Sequence, residues 1–445
     1  APLVAEGKEK NVFDILGRLM KKYRLPTGFG SEISPFVGGG IGYFSYELGR
    51  QIEALPATTR DVMGIPECYI GFYNAVIICD HEKEKTYLSY FDPGCECSIA
   101  SFERLKEEIL SIRPGLYAGR GISPGWKATR GGELSSLFKS DLTKQEYMAA
   151  VNRIKEYILA GDVYQVNMTR RFETGMEGIP PWQLYKRLTH INPAPFAAYM
   201  NFAGVTVVSS SPERFLEING RYIEAGACPQ PMNVGETISS REKNPRKKTR
   251  FFPISTIEAR PIKGTVKRGS TPQEDEKNKQ FLLNDEKNRA ELAMIVDLMR
   301  NDLGRVCETG SIEVKAFPEL ETYASVHHLV STITGRLQEG KNVIDVLKAA
   351  FPGGSITGAP KIRAMEIIDE LEPVERGIYT GSIGYLGFNG CSDLNIVIRT
   401  IVISGGKAHI QAGGGIVADS VDREEYEESL LKAQKLFKAF ADPTT

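Results

Sequence analysis

The chain is poor in the residues that build covalent or metal-held scaffolds. Its 445 residues include seven cysteines and five histidines, spread too widely for a disulfide framework. Cys95 and Cys97 stand closest, but C-x-C lacks the C-x-x-C spacing of a zinc or redox pair. Scattered thiols of this kind suit a reduced, cytoplasmic setting. An excess of one charge is missing too. With 55 basic and 56 acidic residues the formal net charge is −1, so there is no general electrostatic footprint for nucleic acid or an anionic membrane. No apolar run approaches the roughly 20 residues needed to span a bilayer. The opening APLVAEGKEK has no basic segment ahead of an apolar core and does not read as a signal peptide. No tandem repeat is visible. The turn-rich FPGGSITGAPK, ending in Lys361, lacks the spacing of a P-loop.

What is present reads as α+β. In the first 110 residues Gly-rich turns alternate with strand-like runs: PFVGGGIGYFSYELGR, AVIICD and KTYLSYF. FERLKEEILSI then reads as a short helix. Residues 113–140 are rich in Gly, Pro and Ser without a sustained period and read as a linker. A capping box, Thr143 and Glu146, opens the next helix. Met148, Val151, Ile154 and Ile158 follow at helical spacing, with Gly161 at the C-terminal stop. Beyond it VTVVSSS, SIGYLGF and LNIVIRTIVI read as strands, while KNRAELAMIVDLMRND, NVIDVLKAAF and REEYEESLLKAQKLFKAF read as helices. The regular βαβ alternation of a doubly wound sheet is absent.

One stretch interrupts this order. Residues 226–259 are turn-rich and basic (Arg241, Lys243, Arg246, Lys247, Lys248, Arg250), a charge run that reads as a solvated loop. They are flanked by a repeated Ile-Glu-Ala. Removing them would join Tyr222-Ile223-Glu224-Ala225 to Arg260-Pro261-Ile262-Lys263, so the expectation is an insertion between two halves of one strand.

Several residues could carry chemistry. The last helix places Tyr426, Leu430, Ala433, Phe437 and Phe440 on a core stripe, and Glu425, Glu428 and Lys432 on another face. Gly413, Gly414 and Gly415 precede it. They read as a turn whose bare N–H groups can approach an anion. Glu291 and Asp297 lie on a second helix with Leu292, Ile295 and Met299 as its buried positions. Two glutamates from separate helices would suit Mg²⁺; on either helix they could equally be surface acids. His327 and His328 are adjacent, so on a strand one faces the core when the other faces a site. Lys263, before Gly264, could end a strand or act as a nucleophile.

Taken in order, GDVYQVN, SPERF, ARPIKGT, NRAELAMIVDLMRNDLGRV, VHHLVSTITG, FPGGSITGAPK, YTGSIGYLGF, IVIRT and AGGGIVADS–EYEES–K resemble the chorismate-utilising enzymes. That family includes the anthranilate synthase large subunit, aminodeoxychorismate synthase component I, and isochorismate and salicylate synthases. The resemblance covers roughly residues 140–445 and, more weakly, PFVGGGIGYFSYELGR. It implies a large two-sheet β-sandwich core with outer helices and a cleft between the sheets. In site residues it implies Glu291 and Glu428 as Mg²⁺ ligands, with Glu425 behind them through water. Tyr379, Arg399, Gly413–Gly415 and Lys432 would grip the substrate carboxylates. Glu213 and His328 would serve acid/base and leaving-group roles, and Ser355 would line the ring site. Gln165 stands where water-using members carry lysine, which points to ammonia. Lys263 stands where anthranilate synthases carry alanine, and implies a covalent adduct on the way to 4-amino-4-deoxychorismate, the precursor of 4-aminobenzoate and folate. Anthranilate formation, or binding of chorismate without turnover, are the alternatives. No G-x-C-x-G segment with a downstream His-x-Glu is present, so a separate glutamine amidotransferase subunit is expected to supply the ammonia.

The implied organisation is an N-terminal β-rich part, 1–112, which lacks the family's tryptophan-pocket strands and looks truncated. A linker, 113–140, and a catalytic domain, 141–445, follow, the latter carrying the 226–259 insertion.

Overall fold

Alternating apolar residues along Gly39–Phe44, Arg214–Glu224, Phe251–Arg260 and Val326–Arg336 give strands that bury one face each. In the computed structural model they belong to one nine-stranded antiparallel sheet. The structure describes residues 11–92, 98–111, 134–176, 178–202, 204–224, 251–323 and 326–441. The Cys95/Cys97 pair, residues 113–133 and the basic run Arg241–Arg250 lie outside them.

The first sheet runs, strand by strand, Ile262–Lys267, Val326–Arg336, Phe251–Arg260, Arg214–Glu224, Ser392–Asn395, Ser382–Gly387, Gly39–Phe44 and Cys68–Tyr73, with Glu313–Thr322 also on Val326–Arg336. The second runs Gly358–Ala359, Gln165–Gly175, Lys407–Ile416, Thr400–Ser404, Val205–Ser211 and Phe196–Phe202, with Lys139–Ser140 also on Gln165–Gly175. Tyr43 and Ile383 of the first sheet share a buried cluster with Phe202, Val207 and Val402 of the second. Helices cover the outside. Leu184 and Leu188 of Pro181–Ile191, with Phe437 and Phe440 at the C-terminal end, bury against the second sheet. The expected α+β sandwich is therefore what forms. Among the described residues no helix is long and apolar enough to cross a membrane.

Local signals hold where the chemistry is local. Thr143 and Glu146 close their capping box, and Gly161 follows the helix with φ +84°. The buried stripe of that helix is Tyr147, Ala150, Val151 and Ile154; Met148 stays half-buried because the stripe begins one residue earlier.

Four expectations about organisation change. The strand Gly39–Phe44 pairs in register with Ser382–Gly387, so the N-terminal part completes the sheet of the C-terminal part instead of standing apart. The expected linker ends early: Phe138 stacks on Phe437 at 3.9 Å, and Lys139–Ser140 pairs with Glu173 and Phe172. The proposed insertion is not an interruption of one strand. Arg214–Glu224 and Phe251–Arg260 are two antiparallel strands, Glu224 opposite Phe251, joined by residues 225–250. Residues 251–259 belong to the sheet because Ile257 and Ala259 alternate into the core, 1% and 0% exposed, an interior face that a solvated loop would not have. Finally, LNIVIRTIVI is not one strand. Ser392–Asn395 lies in the first sheet and Thr400–Ser404 in the second. Ile396–Arg399 crosses between them, held by bonds from Ile396 N–H to Glu213 O (3.0 Å) and from Val397 N–H to Gly381 O (3.0 Å).

Beside that crossover sits Arg376, 1% exposed. It pairs with Glu372 (Nη2 to Oε1, 2.7 Å) and donates to the carbonyls of Asn167 (2.7 Å) and Ile356 (2.9 Å). Glu372 also accepts from the N–H and hydroxyl of Thr169. Two segments of the cavity wall, at Asn167 and Ile356, are thus fixed from behind by one buried ion pair. Breaking such a pair on one side leaves an uncompensated buried charge. Arg376→Met should cost about 3–5 kcal/mol, read as a lowered midpoint in urea unfolding.

Candidate active site

A cavity of about 580 Å³ opens beside the crossover, lined in part by Ile398 and Arg399. Its wall includes Glu213, Lys263, Glu291, His328, Ser355, Tyr379, Arg399, Gly413–Gly415, Glu425, Glu428 and Lys432. Of the site residues that the family resemblance implied, all but Gln165 line this wall, and Gln165 lies just behind it against Gly415. Asp297 does not join them: it points outward and pairs with Arg300 at 3.2 Å. Lys361 is also elsewhere, buried against Asp302 (2.6 Å) and the Ala350 carbonyl (2.8 Å); it anchors the start of the helix Lys361–Leu371.

Lys263 owes its direction to a bulge. On Ile262–Lys267, Ile262 pairs with Val330 and Thr265 with His328. Lys263 and Gly264 together therefore oppose Leu329, and Gly264 takes φ +84°. A bulge of this form re-aims a side chain, and only glycine accepts that backbone without strain. The Lys263 ammonium lies 2.6 Å from Glu291 Oε2. Glu291 comes from the helix Glu286–Gly304, whose Leu292, Ile295 and Met299 are buried as the spacing required.

The three glycines are not a turn. They lie in the strand Lys407–Ile416, with Gly413 opposite Thr169 and Gly415 opposite Asn167. Their smallness has a different purpose from the one the sequence suggested. A Cβ on Gly413 would lie 2.0 Å from the Met168 carbonyl. One on Gly414 would meet Glu425 Oε2 at 3.2 Å and Glu428 Oε1 at 3.6 Å, and one on Gly415 would meet Gln165 Nε2 at 2.6 Å and Lys263 Nζ at 3.0 Å. The bare strand gives way to the side chains that converge on it.

The helix Asp422–Phe437 sends Glu425, Glu428 and Lys432 inward. Lys432 bridges Glu428 Oε1 (2.6 Å) and the Gly413 carbonyl (2.9 Å). Glu425 is buried and accepts from Ser420 at 2.6 Å. Burial raises its carboxyl above the usual range, whereas Lys432 holds Glu428 below it. Among the described residues no three His, Cys, Asp or Glu side chains form a ready-made metal cluster. The donor set nevertheless fits a hard cation that keeps water or ligand oxygens, because Glu291 and Glu428 come from separate helices and each is now balanced by a lysine.

The adjacent histidines split as their alternation demands. His327 is fully buried, between Asp275 (2.9 Å) and Thr322 (2.9 Å). His328 faces the cavity with Nδ1 on the Thr265 hydroxyl at 2.8 Å. Burial, with Arg399 and Lys435 nearby, pushes its pKa down to about 4, so the ring is neutral at pH 7. Glu213 moves the other way. Burial raises it to about 7, against the opposing pull of hydrogen bonds from the Ser355 hydroxyl and the Ile262 N–H. Arg399 donates to Asn192 Oδ1 at 3.2 Å. Arg399 and Thr380 hold φ of +50° and +59°, uncommon for residues with a side chain. Asn167, Lys267, Lys287, Asn288 and Lys435 also line the wall and were not singled out by the sequence: Asn167 and Asn288 stand inside the motifs as neutral amides, and the three lysines look like solvated charges.

The Glu213 carboxyl has a consequence for stability. Its folded pKa lies above the unfolded value, so its contribution is complete below about pH 4.5 and is lost as pH rises to about 7. Glu213→Gln should remove a downward slope of roughly 3 kcal/mol across that interval, visible in urea unfolding at pH 5 and pH 7.5.

Comparison with known proteins agrees with this architecture. The family described as chorismate binding enzyme matches residues 12–229 and 251–438, breaking off over 230–250. Aminodeoxychorismate synthase component 1 of Salmonella typhimurium is 40% identical over 403 residues, covering 90% of this chain and 76% of that protein. Anthranilate synthase component 1 of Acetivibrio thermocellus is 38% identical, covering 98% and 81%. Among solved structures, anthranilate synthase component I of Streptococcus pneumoniae superposes with a TM-score of 0.75 at 30% identity, over 95% of this chain and 85% of that one. The Escherichia coli isochorismate synthase MenF shares the fold, with a TM-score of 0.67 at 18% identity over 97% of this chain and 83% of its own.

Proposed function

The chain belongs to the chorismate binding enzymes, and from that premise we propose that it replaces the C4 hydroxyl of chorismate with ammonia to give 4-amino-4-deoxychorismate. The observation that carries this reading is the meeting of Lys263 and Gln165 at Gly415. A lysine aimed into the cavity can attack the ring. The Gln165 Oε1 atom, buried and without a hydrogen-bond partner among the described residues, is an acceptor suited to an incoming ammonia.

Lys263 releases one ammonium proton to water, its amine attacks C2, the two conjugated ring double bonds shift, and the C4 hydroxyl departs as water. Ammonia then adds at C4, the double bonds shift back, and C2–N cleavage returns Lys263. Splitting one displacement into two lowers each barrier. Glu213 is protonated below about pH 7 and supplies a proton to the departing hydroxyl. Neutral His328, its Nδ1 fixed by Thr265, leaves Nε2 for the same oxygen. Arg399 and Tyr379 take the side-chain carboxylate, and Lys432 with the glycine strand takes the ring carboxylate. Ser355 lines the ring and orients Glu213. Glu291 and Glu428, with Glu425 close by, would hold magnesium, which would supply positive charge where the ring carboxylate binds.

Ammonia comes from a separate glutamine amidotransferase. The test uses the chain with chorismate and Mg²⁺. Turnover with ammonium, none with glutamine, and glutamine-dependent turnover once an amidotransferase subunit is added are expected. Robust turnover with glutamine by this chain alone would refute the partner. Anthranilate formation is the competing reading, favoured by the 38% identity over 98% of the chain to an anthranilate synthase component; it needs the same cavity but no lysine nucleophile.

A further inference from the structure

Charge is divided unevenly along the cavity wall. Glu291, Glu425 and Glu428 gather with Lys263, Lys287 and Lys432, where opposite charges balance. Around His328 the balance fails. Arg399, Lys267 and Lys435 all line the wall there, and the acid facing Arg399 is Glu213, which burial keeps largely protonated up to about pH 7. Among the described residues neither Lys267 nor Lys435 forms an ion pair.

Lys435 is the most informative of these. It lies three residues beyond Lys432 on the helix Asp422–Phe437, so the two cations share a face. Like charges at that spacing repel, and Arg399, Lys267 and Lys438 add to the repulsion. On a solvated face this would be unremarkable. Here the side chain is half-buried and borders a cavity whose neighbouring wall, Val326, Leu431 and Leu436, is apolar. A set of converging, partly desolvated cations without a protein counter-charge is complete only with an anion between them.

We infer that Lys435, beside Arg399, binds the second carboxylate of a dianionic substrate and so reads the side chain of the substrate as Lys432 reads its ring. This rests on the proposed function, in which the substrate is chorismate, whose two carboxylates sit on the ring and on the enolpyruvyl group. Lys435 is a binding and specificity residue in this account. It contacts the half of the substrate that does not react, and its contribution is the same in ground and transition states. Its loss therefore raises KM and leaves kcat in place.

The test compares the full chain with K435Q and K435R, using ammonium and Mg²⁺. Chorismate is the dianion, and benzoate, a ring monocarboxylate with no side chain, is the control competitive inhibitor. In K435Q the KM for chorismate should rise about tenfold, the scale of one charge-assisted hydrogen bond, with kcat within twofold. K435R should recover most of the loss, and the inhibition constant of benzoate should stay within twofold of wild type. Unchanged KM in K435Q would overturn the assignment. So would equal weakening of chorismate and benzoate, which would mark a general field effect. If the wild-type chain neither binds nor turns over chorismate, the functional reading itself fails, an outcome distinct from wild-type turnover with an indifferent K435Q.

Discussion

Lys263→Ala should abolish amination, lowering kcat by on the order of 10³ or more while chorismate binding persists. The bulge at Lys263–Gly264 aims this amine toward Gly415, with Nζ 3.0 Å from where a Cβ on that glycine would sit. Alanine cannot open the first of the two displacements. It also leaves Glu291, 8% exposed and 2.6 Å from the missing ammonium, without its partner. A loss of activity could therefore come from a collapsed site, so binding must be measured beside turnover. Calorimetric titration with chorismate and Mg²⁺ separates the two causes. Retained binding with lost turnover identifies the nucleophile. Turnover within tenfold of wild type would mean that ammonia reaches C4 without a lysine adduct.

The second large effect concerns the hairpin. Deleting residues 226–259 should yield no folded protein. That cut removes most of the strand Phe251–Arg260, which pairs with Arg214–Glu224 on one side and Val326–Arg336 on the other and buries Ile257 and Ala259. Losing an interior strand exceeds the about 5–15 kcal/mol by which a typical fold is stable. Replacing only residues 225–250 by Asn-Gly should do the opposite. Glu224 and Phe251 face each other across the hairpin, a geometry that a two-residue turn closes. A shorter loop costs less closure entropy, about 0.6 kcal/mol per halving. The short-turn variant should keep its activity within about twofold and melt no lower than the full chain, by scanning calorimetry. A folded but inactive short-turn variant would show that residues 225–250 serve the site.

These two cases mark the boundary of what the chain disclosed in one dimension. Local rules carried far: the Thr143–Glu146 box, the buried face of the Glu291 helix and the opposite facing of His327 and His328 all follow from spacing alone. Motif order carried the family, and with the resemblance came the expectation that Glu213, Lys263, Arg399 and Glu428 share one cleft; all four line the cavity. The failures were non-local. Nothing within LNIVIRTIVI says that its halves belong to different sheets. That break is imposed by Glu213 and Gly381, which hold Ile396 and Val397 from distant parts of the chain. The Gly413–Gly415 run looked like an anion-binding turn because glycine permits turns. Its actual cause, the approach of Gln165, Glu425 and Lys263 from other elements, is invisible until the strand is paired. Phe251–Arg260 was hidden by Pro253 and by the turn-rich sequence before it, and only its partners on both sides make it a strand. Arg376, the fully buried cation behind the cavity, had no sequence mark at all.

The central claim is that ammonia replaces the C4 hydroxyl while the rest of chorismate stays whole. The most direct test is mass spectrometry of the product after incubating the chain with chorismate, Mg²⁺ and isotopically labelled ammonium. The expected result is a single product that keeps the enolpyruvyl ether and carries one labelled amino group in place of a hydroxyl, with no pyruvate released. Labelled anthranilate with an equivalent of pyruvate, or recovered chorismate alone, would contradict it.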